Sequence, residues 1–221
     1  MNFSLVLASS SPRRRELLAL TGWNFEVRPA DIDESPRPGE PPADYVLRLA
    51  MGKAQAAAVQ AGPGQVVLAA DTTVADGLTL LGKPADRLEA FAMLERLRGR
   101  VHQVYTALAI HSPDSGDLFT DLCASQVPMR LYTTAEIETY IATGDPLDKA
   151  GAYAIQHPGF HPVEGFGGCF ASVMGLPLCH LTRTLKKMGI TPPVDVPVAC
   201  QRHLGYACPV FQSVLNGQNV G

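Results

Sequence analysis

The segment Ser11-Pro12-Arg13-Arg14-Arg15 sets the tightest limit on how this chain folds. Before it, Phe3-Ser4-Leu5-Val6-Leu7-Ala8 is a short apolar run that reads as a buried strand. After it, Glu16-Leu17-Leu18-Ala19-Leu20 reads as the body of a helix that stops at Gly22. Ser11 is placed to cap that helix, and Pro12 to take its first position, where a missing N–H costs nothing. The three arginines are out of place there. A first turn carries unpaired N–H groups and about half a positive charge, so each arginine costs about 0.3–1 kcal/mol. An external anion removes the conflict. A phosphate chain accepts from the free N–H groups, from the hydroxyls of Ser9, Ser10 and Ser11, and from guanidinium forks. The competing reading is a basic turn that faces water.

Composition narrows the field. A chain of 221 residues with 46% hydrophobic content can bury a substantial core, as one large or two closely packed domains. Its formal charge of -3 argues against a general nucleic-acid binder, which needs a broad basic face, and 7% aromatic content offers no stacking platform. No apolar run approaches the roughly 20 residues of a membrane span, and the N-terminus has no signal-peptide pattern, so a cytoplasmic protein is expected. Cys123, Cys169, Cys179, Cys200 and Cys208 are odd in number and lack C-x-x-C pairing, which predicts reduced core thiols.

Strands and helices alternate. Helices are predicted from Asp44 to about Ala61, Asp86 to Arg98, Thr134 to Thr143 and Pro177 to Met188, the last of them. Strands are predicted at Phe25–Arg28, Gln65–Ala70, Leu78–Leu80, His102–His111 and Leu118–Leu131, with hairpin turns at Asp76-Gly77 and at Pro113-Asp114-Ser115-Gly116. The pattern predicts an α/β fold with a mixed sheet flanked by helices. Ser35–Pro42, with four prolines in eight residues, reads as a loop or flap. Beyond Gly189 the prolines oppose regular helix or central strand, so residues 190–221 read as a Pro- and Cys-containing extension of a 1–189 domain.

Polar residues gather at strand ends. Asp71, with Thr72 and Thr73, follows the run Val66–Ala70, and ligands of open α/β sheets bind at such positions. Lys83, between Gly82 and Pro84, can return to the same edge. Asp31, Asp33 and Glu34 offer hard oxygen ligands suited to magnesium or manganese held together with phosphates. The plainer readings are an Asx turn for Asp71, a solvated loop for the acidic group, and an exposed helical lysine for Lys53.

These residues resemble the signature of the Maf family of nucleoside triphosphate pyrophosphatases. The match runs through Leu7-Ala8-Ser9-Ser10-Ser11-Pro12-Arg13-Arg14, Lys53, Ala70-Asp71-Thr72, Gly82-Lys83-Pro84, and Gly144-Asp145-Pro146-Leu147-Asp148-Lys149-Ala150-Gly151-Ala152-Tyr153 with Ile155-Gln156. Gly175-Leu176-Pro177-Leu178 then opens the final helix. The resemblance covers about residues 3 to 189.

The resemblance implies a fold of the inosine triphosphatase class, a homodimer and a cleft for one nucleotide. It also implies cleavage between the α and β phosphates with a divalent metal, Mg2+ or Mn2+. By analogy Ser11, Arg13, Arg14, Lys53 and Lys83 hold the triphosphate, Asp33 or Glu34 assists with metal, and Asp71 is the base or a further metal ligand. Arg13, Thr72, Lys83 and Gln156 match the branch that prefers dTTP and UTP. The alternative is a non-catalytic regulator of septum formation, against which the presence of Asp71 counts. For the extension, the reading is an arm that lays Phe211, Val214 and Leu215 on the body or a dimer partner. A metal site at Cys200, His203 and Cys208 is disfavoured, because the spacing is not that of a zinc knuckle.

Overall fold

The computed structural model describes residues 3–221. A six-stranded mixed sheet has the order β2-β1-β3-β5-β6, with β4 paired to β3. The strands are β1 (Ser4–Leu7), β2 (Phe25–Val27), β3 (Gln65–Asp76), β4 (Thr79–Leu81), β5 (Val101–Ser112) and β6 (Asp117–Pro128). β1 is parallel to both β2 and β3, whereas β4 and β5 are antiparallel to β3, and β6 is antiparallel to β5. The helices are α1 (Pro12–Ala19), α2 (Pro42–Ala58), α3 (Arg87–Leu97), α4 (Thr134–Ala142), α5 (Phe170–Val173), α6 (Leu178–Lys187), α7 (Val196–Leu204) and α8 (Phe211–Leu215).

Alternation along the strands separates two apolar layers. Val6, Ala8, Val67, Ala69, Ala107 and Ala109 face α2, which meets them with Val46, Ala50, Ala54 and Ala57. The small side chains let the helix lie close. Leu5, Leu7, Leu68, Ala70, Leu108 and Ile110 face the opposite way, into the larger core shared with α1, α3, α4, α5 and α6. Thr133 caps α4 in a complete capping box with Glu136, and Asp86 caps α3.

Two expectations are corrected. β3 does not finish at Ala70 but continues through Asp76, because Thr72, Thr73 and Val74 go on pairing with β5 in the register Thr72↔Thr106 and Val74↔Val104. Asp71 therefore lies in the middle of a strand. β1 stops opposite Leu68 and β4 ends opposite Val74, so one edge of β3 has no strand partner over 69–73 among the described residues.

The second correction concerns the extension, which forms two helices rather than irregular chain. Its prolines are placed where they do no harm: Asp195 caps α7 and Pro197 lies in its first turn. Val196 and Val214 are buried, whereas Phe211 and Leu215 are only half-buried. Tyr206 Oη donates to the carbonyls of Phe166 and Gly168 at 3.2 and 3.0 Å, and Arg183 donates to the carbonyls of Val214 and Gln218 at 3.2 and 2.6 Å. His203 turns away from the cysteines to pair with Glu16 at 2.9 Å, and all five cysteines are free.

Truncation after Gly189 removes two buried valines and these hydrogen bonds, and is expected to lower the thermal midpoint by roughly 5–10 °C in a calorimetric scan. A second expectation concerns acid. His102 is fully buried on β5, 2.8 Å from Tyr153 Oη, and burial pushes its pKa down to about 4 against the pull of Asp76. Between that value and the ordinary 6.5 the unfolded chain binds a proton that the native state refuses. Stability should therefore fall, by up to roughly 3 kcal/mol, as pH drops through this window. Urea titrations at pH 7 and pH 4.5 should show a smaller fall for His102→Asn than for the natural chain.

Candidate active site

One cleft opens at the unpaired stretch of β3. It is lined by the β1–α1 loop, Lys53 of α2, Asp71 and Thr72 of β3, Lys83 after β4, and the segments around 148–156 and 173–175. Five cations (Arg13, Arg14, Lys53, Lys83 and Lys149) and three carboxylates (Glu34, Asp71 and Asp148) share it. The excess of positive charge suits a polyanion.

The β1–α1 loop takes the predicted form. Ser11 caps α1 by accepting from Arg14 N at 3.4 Å, Ser9 Oγ accepts from Ser11 N at 3.2 Å, and no acidic residue stands in the first turn. The three arginines separate. Arg15 is exposed and outside the cleft, and Arg13 reaches Asp148 at only 4.0 Å. Arg14 is clamped, donating to Gly175 O at 2.9 Å, Thr72 Oγ1 at 3.1 Å and Ser9 Oγ at 3.3 Å. Burial lowers its pKa, with the Asp71 charge acting in the other direction.

Asp71 points to the α2 face because it shares parity with Val67 and Ala69. There Lys53, on the same stripe as Ala50, Ala54 and Ala57, donates to Asp71 Oδ1 at 2.6 Å. The lysine is 8% exposed and the aspartate 6%, so the exposed-lysine reading fails. Glu34 Oε1 lies 2.7 Å from the same Nζ. Burial raises the pKa of Asp71 above the ordinary carboxylate range, and Lys53 and Arg14 pull it partly back. A carboxylate with a raised pKa is a stronger proton acceptor than a free one.

Asp33 stands apart. Its Oδ1 accepts from Ser35 N at 2.9 Å, and these Ser35 contacts lower its pKa. It does not line the cleft. The proline-rich segment also stays outside, tied to α2 by Arg48, which grips Glu40 at 2.6 and 2.7 Å and reaches Ser35 O at 3.1 Å. Lys83 and Gln156 lie exposed on the cleft wall.

Lys149 was not singled out as a site residue, although it stands inside a quoted motif. It is 7% exposed and donates to Asp145 Oδ1 and Asp148 Oδ1 at 2.8 and 2.6 Å. Its backbone is set by Gly151, whose φ is +68° and whose added Cβ would fall 2.9 Å from the Val74 methyls. Gly151 N also donates to Gly82 O at 3.0 Å, which fastens this turn to the Lys83 loop. The sequence signal was a lysine flanked by Asp145, Asp148 and the obligatory glycine.

A profile of Maf-like proteins matches residues 4–188 and stops before the extension. The chain belongs to the Maf family. Within the family it is similar to a dTTP/UTP pyrophosphatase of Anaeromyxobacter dehalogenans strain 2CP-1, with 48% identity across 87% of this chain and 98% of the relative. A dTTP/UTP pyrophosphatase of Myxococcus xanthus is 49% identical across 86% of this chain and 94% of its own length. Among solved structures, a HAM1 protein from Coxiella burnetii aligns over 58% of this chain and 73% of that one, with 20% identity and a TM-score of 0.41. The Maf motifs that are separated in sequence, Ser9–Arg14, Lys53, Asp71-Thr72, Lys83 and Lys149–Gln156, all reach the one cleft.

Replacing Lys53 by Met removes the strongest charge holding the Asp71 pKa down. Carboxyl-carbon NMR titration of labelled aspartate should place Asp71 above the ordinary range in the natural chain and higher still in Lys53→Met.

Proposed function

We propose that this Maf protein is a nucleoside triphosphate pyrophosphatase that converts dTTP and UTP to the monophosphate and pyrophosphate. The observation that carries the reading is a buried carboxylate, Asp71, paired to Lys53 inside a cleft with an excess of cations. The relatives named above supply the substrate class. Water attacks the α phosphorus, the bond to the bridging oxygen of the β phosphate breaks, and pyrophosphate leaves. Such a reaction needs positioning and charge neutralisation more than covalent help from the protein. Ser11, Arg13, Arg14 and Lys83 hold the phosphate chain, and Asp71 accepts the proton of the attacking water. Thr72 and Gln156 face the base, where a glutamine amide both donates and accepts.

The donor set fits a divalent metal. Lys53 Nζ holds Glu34 Oε1 and Asp71 Oδ1 side by side, so their second oxygens would be the ones to hold a metal, and Mg2+ is commonly held by one or two carboxylates plus substrate phosphates. When bound, Mg2+ or Mn2+ adds charge neutralisation at the phosphates. No cluster of three or more protein ligands occurs among the described residues, so phosphate oxygens and water would supply the remaining ligands. A homodimer in the cytoplasm belongs to the same reading, and no helix among the described residues is long and apolar enough to cross a membrane.

Incubation with a nucleotide panel, with Mg2+ and with Mn2+, should give monophosphate plus pyrophosphate, fastest for dTTP and UTP. A diphosphate with orthophosphate would instead place cleavage at the γ position and end the proposal. Asp71→Asn keeps the shape but cannot take the proton, and should lower kcat by about 10²–10⁴-fold while nucleotide still binds.

A further inference from the structure

Behind the cleft wall lies a chain of hydroxyls whose proton directions are forced. Thr106 on β5 is fully buried and outside the cleft lining. Its Oγ1 lies 2.8 Å from Ser172 O and 3.0 Å from Thr72 Oγ1. A carbonyl only accepts, so the single Thr106 proton goes to Ser172 O. Thr72 must then donate to Thr106, because the opposite arrangement sets two lone pairs against each other at 2.8 Å. With its proton committed inward, Thr72 shows Arg14 lone pairs alone. The order is Arg14 to Thr72 to Thr106 to the Ser172 carbonyl, each group donating to the next.

Counting donors shows what this does for Arg14. A guanidinium has five N–H groups. One on Nε goes to Gly175 O, one on Nη1 to Ser9 Oγ and one on Nη2 to Thr72 Oγ1. The two that remain, one on each terminal nitrogen, are left for phosphate oxygens. Their direction is fixed only while all three acceptors hold, and Thr72 is a dependable acceptor only because Thr106 takes its proton.

We propose that Thr106 is a positioning residue for phosphate binding, acting through Thr72 on Arg14 without touching substrate. The proposal rests on the reading of Arg14 as a phosphate ligand. Thr106→Val keeps the shape but frees the Thr72 proton to swing toward Arg14. Its KM for UTP and its Kd for inorganic pyrophosphate should rise about five- to tenfold, with kcat within about twofold of the natural chain. Thr106→Ser should restore both constants.

The deciding measurement is a double-mutant cycle. Once Thr72→Val has cut the chain of hydroxyls, adding Thr106→Val should raise the pyrophosphate Kd no further. Loss of the Ser172 contact, by contrast, should lower the thermal midpoint in both backgrounds. Additive losses in Kd, or an unchanged Kd in the folded single variant, would overturn the proposal. If Thr106→Val does not fold, as judged by circular dichroism, Thr106→Ala enters the same cycle with the same expectation. Because pyrophosphate binding is read without turnover, a natural chain that binds pyrophosphate but cleaves no triphosphate refutes the proposed function and leaves the positioning role to be decided by the cycle.

Discussion

The contact between Lys53 and Asp71 governs the architecture around it. Two ionic groups removed from water are each costly alone, and loss of either partner leaves an uncompensated buried charge. The pair therefore requires α2 to lie close against β3, with Lys53 and Asp71 at the same height. Ala50, Ala54 and Ala57 on the helix and Val67, Ala69, Ala107 and Ala109 on the sheet allow that approach. The same burial that strains the pair raises the Asp71 pKa, so packing and acid–base chemistry have one origin.

A second constraint acts at the start of α1, where arginines meet the positive end of a helix dipole. The fold resolves the conflict residue by residue. Arg15 goes to water, as the basic-turn reading expects, and Arg14 finds neutral acceptors in Ser9, Thr72 and Gly175. The conflict at α1 is thus eased partly by the protein itself, from its own loop and from two distant parts of the chain. Only the two remaining N–H groups of Arg14 and the loosely held Arg13 are left for an external anion.

Much of the fold was legible because it depends on local chemistry. The Ser11-Pro12 start of α1, the beginnings of α3 near Asp86 and of α4 at Thr134, and the two hairpins follow from side chains within a few residues of the backbone they stabilise. The end of β3 was not legible. Whether a strand continues past an aspartate depends on the neighbour that pairs with it, and β5 lies 30 residues further on. The extension was misread for a similar reason. Prolines exclude helix interiors but favour first turns, and α7 is held by Val196 entering a core built from the rest of the chain.

The sequence by itself determined the chemistry of the site: which residue types belong together, and in what order the motifs run, because the Maf pattern is carried by identity and spacing. Tertiary structure alone decided which of them meet. Glu34 reaches Lys53 while its neighbour Asp33 binds its own loop, and Lys149 enters the cleft unforeseen. Neither result follows from residue type, since adjacent carboxylates are chemically alike and are separated only by the path of the backbone. The proton direction at Thr72 lies furthest from the sequence. It is fixed by Thr106, its cross-strand neighbour, and by a carbonyl of α5, a hundred residues away from Thr72 in the chain.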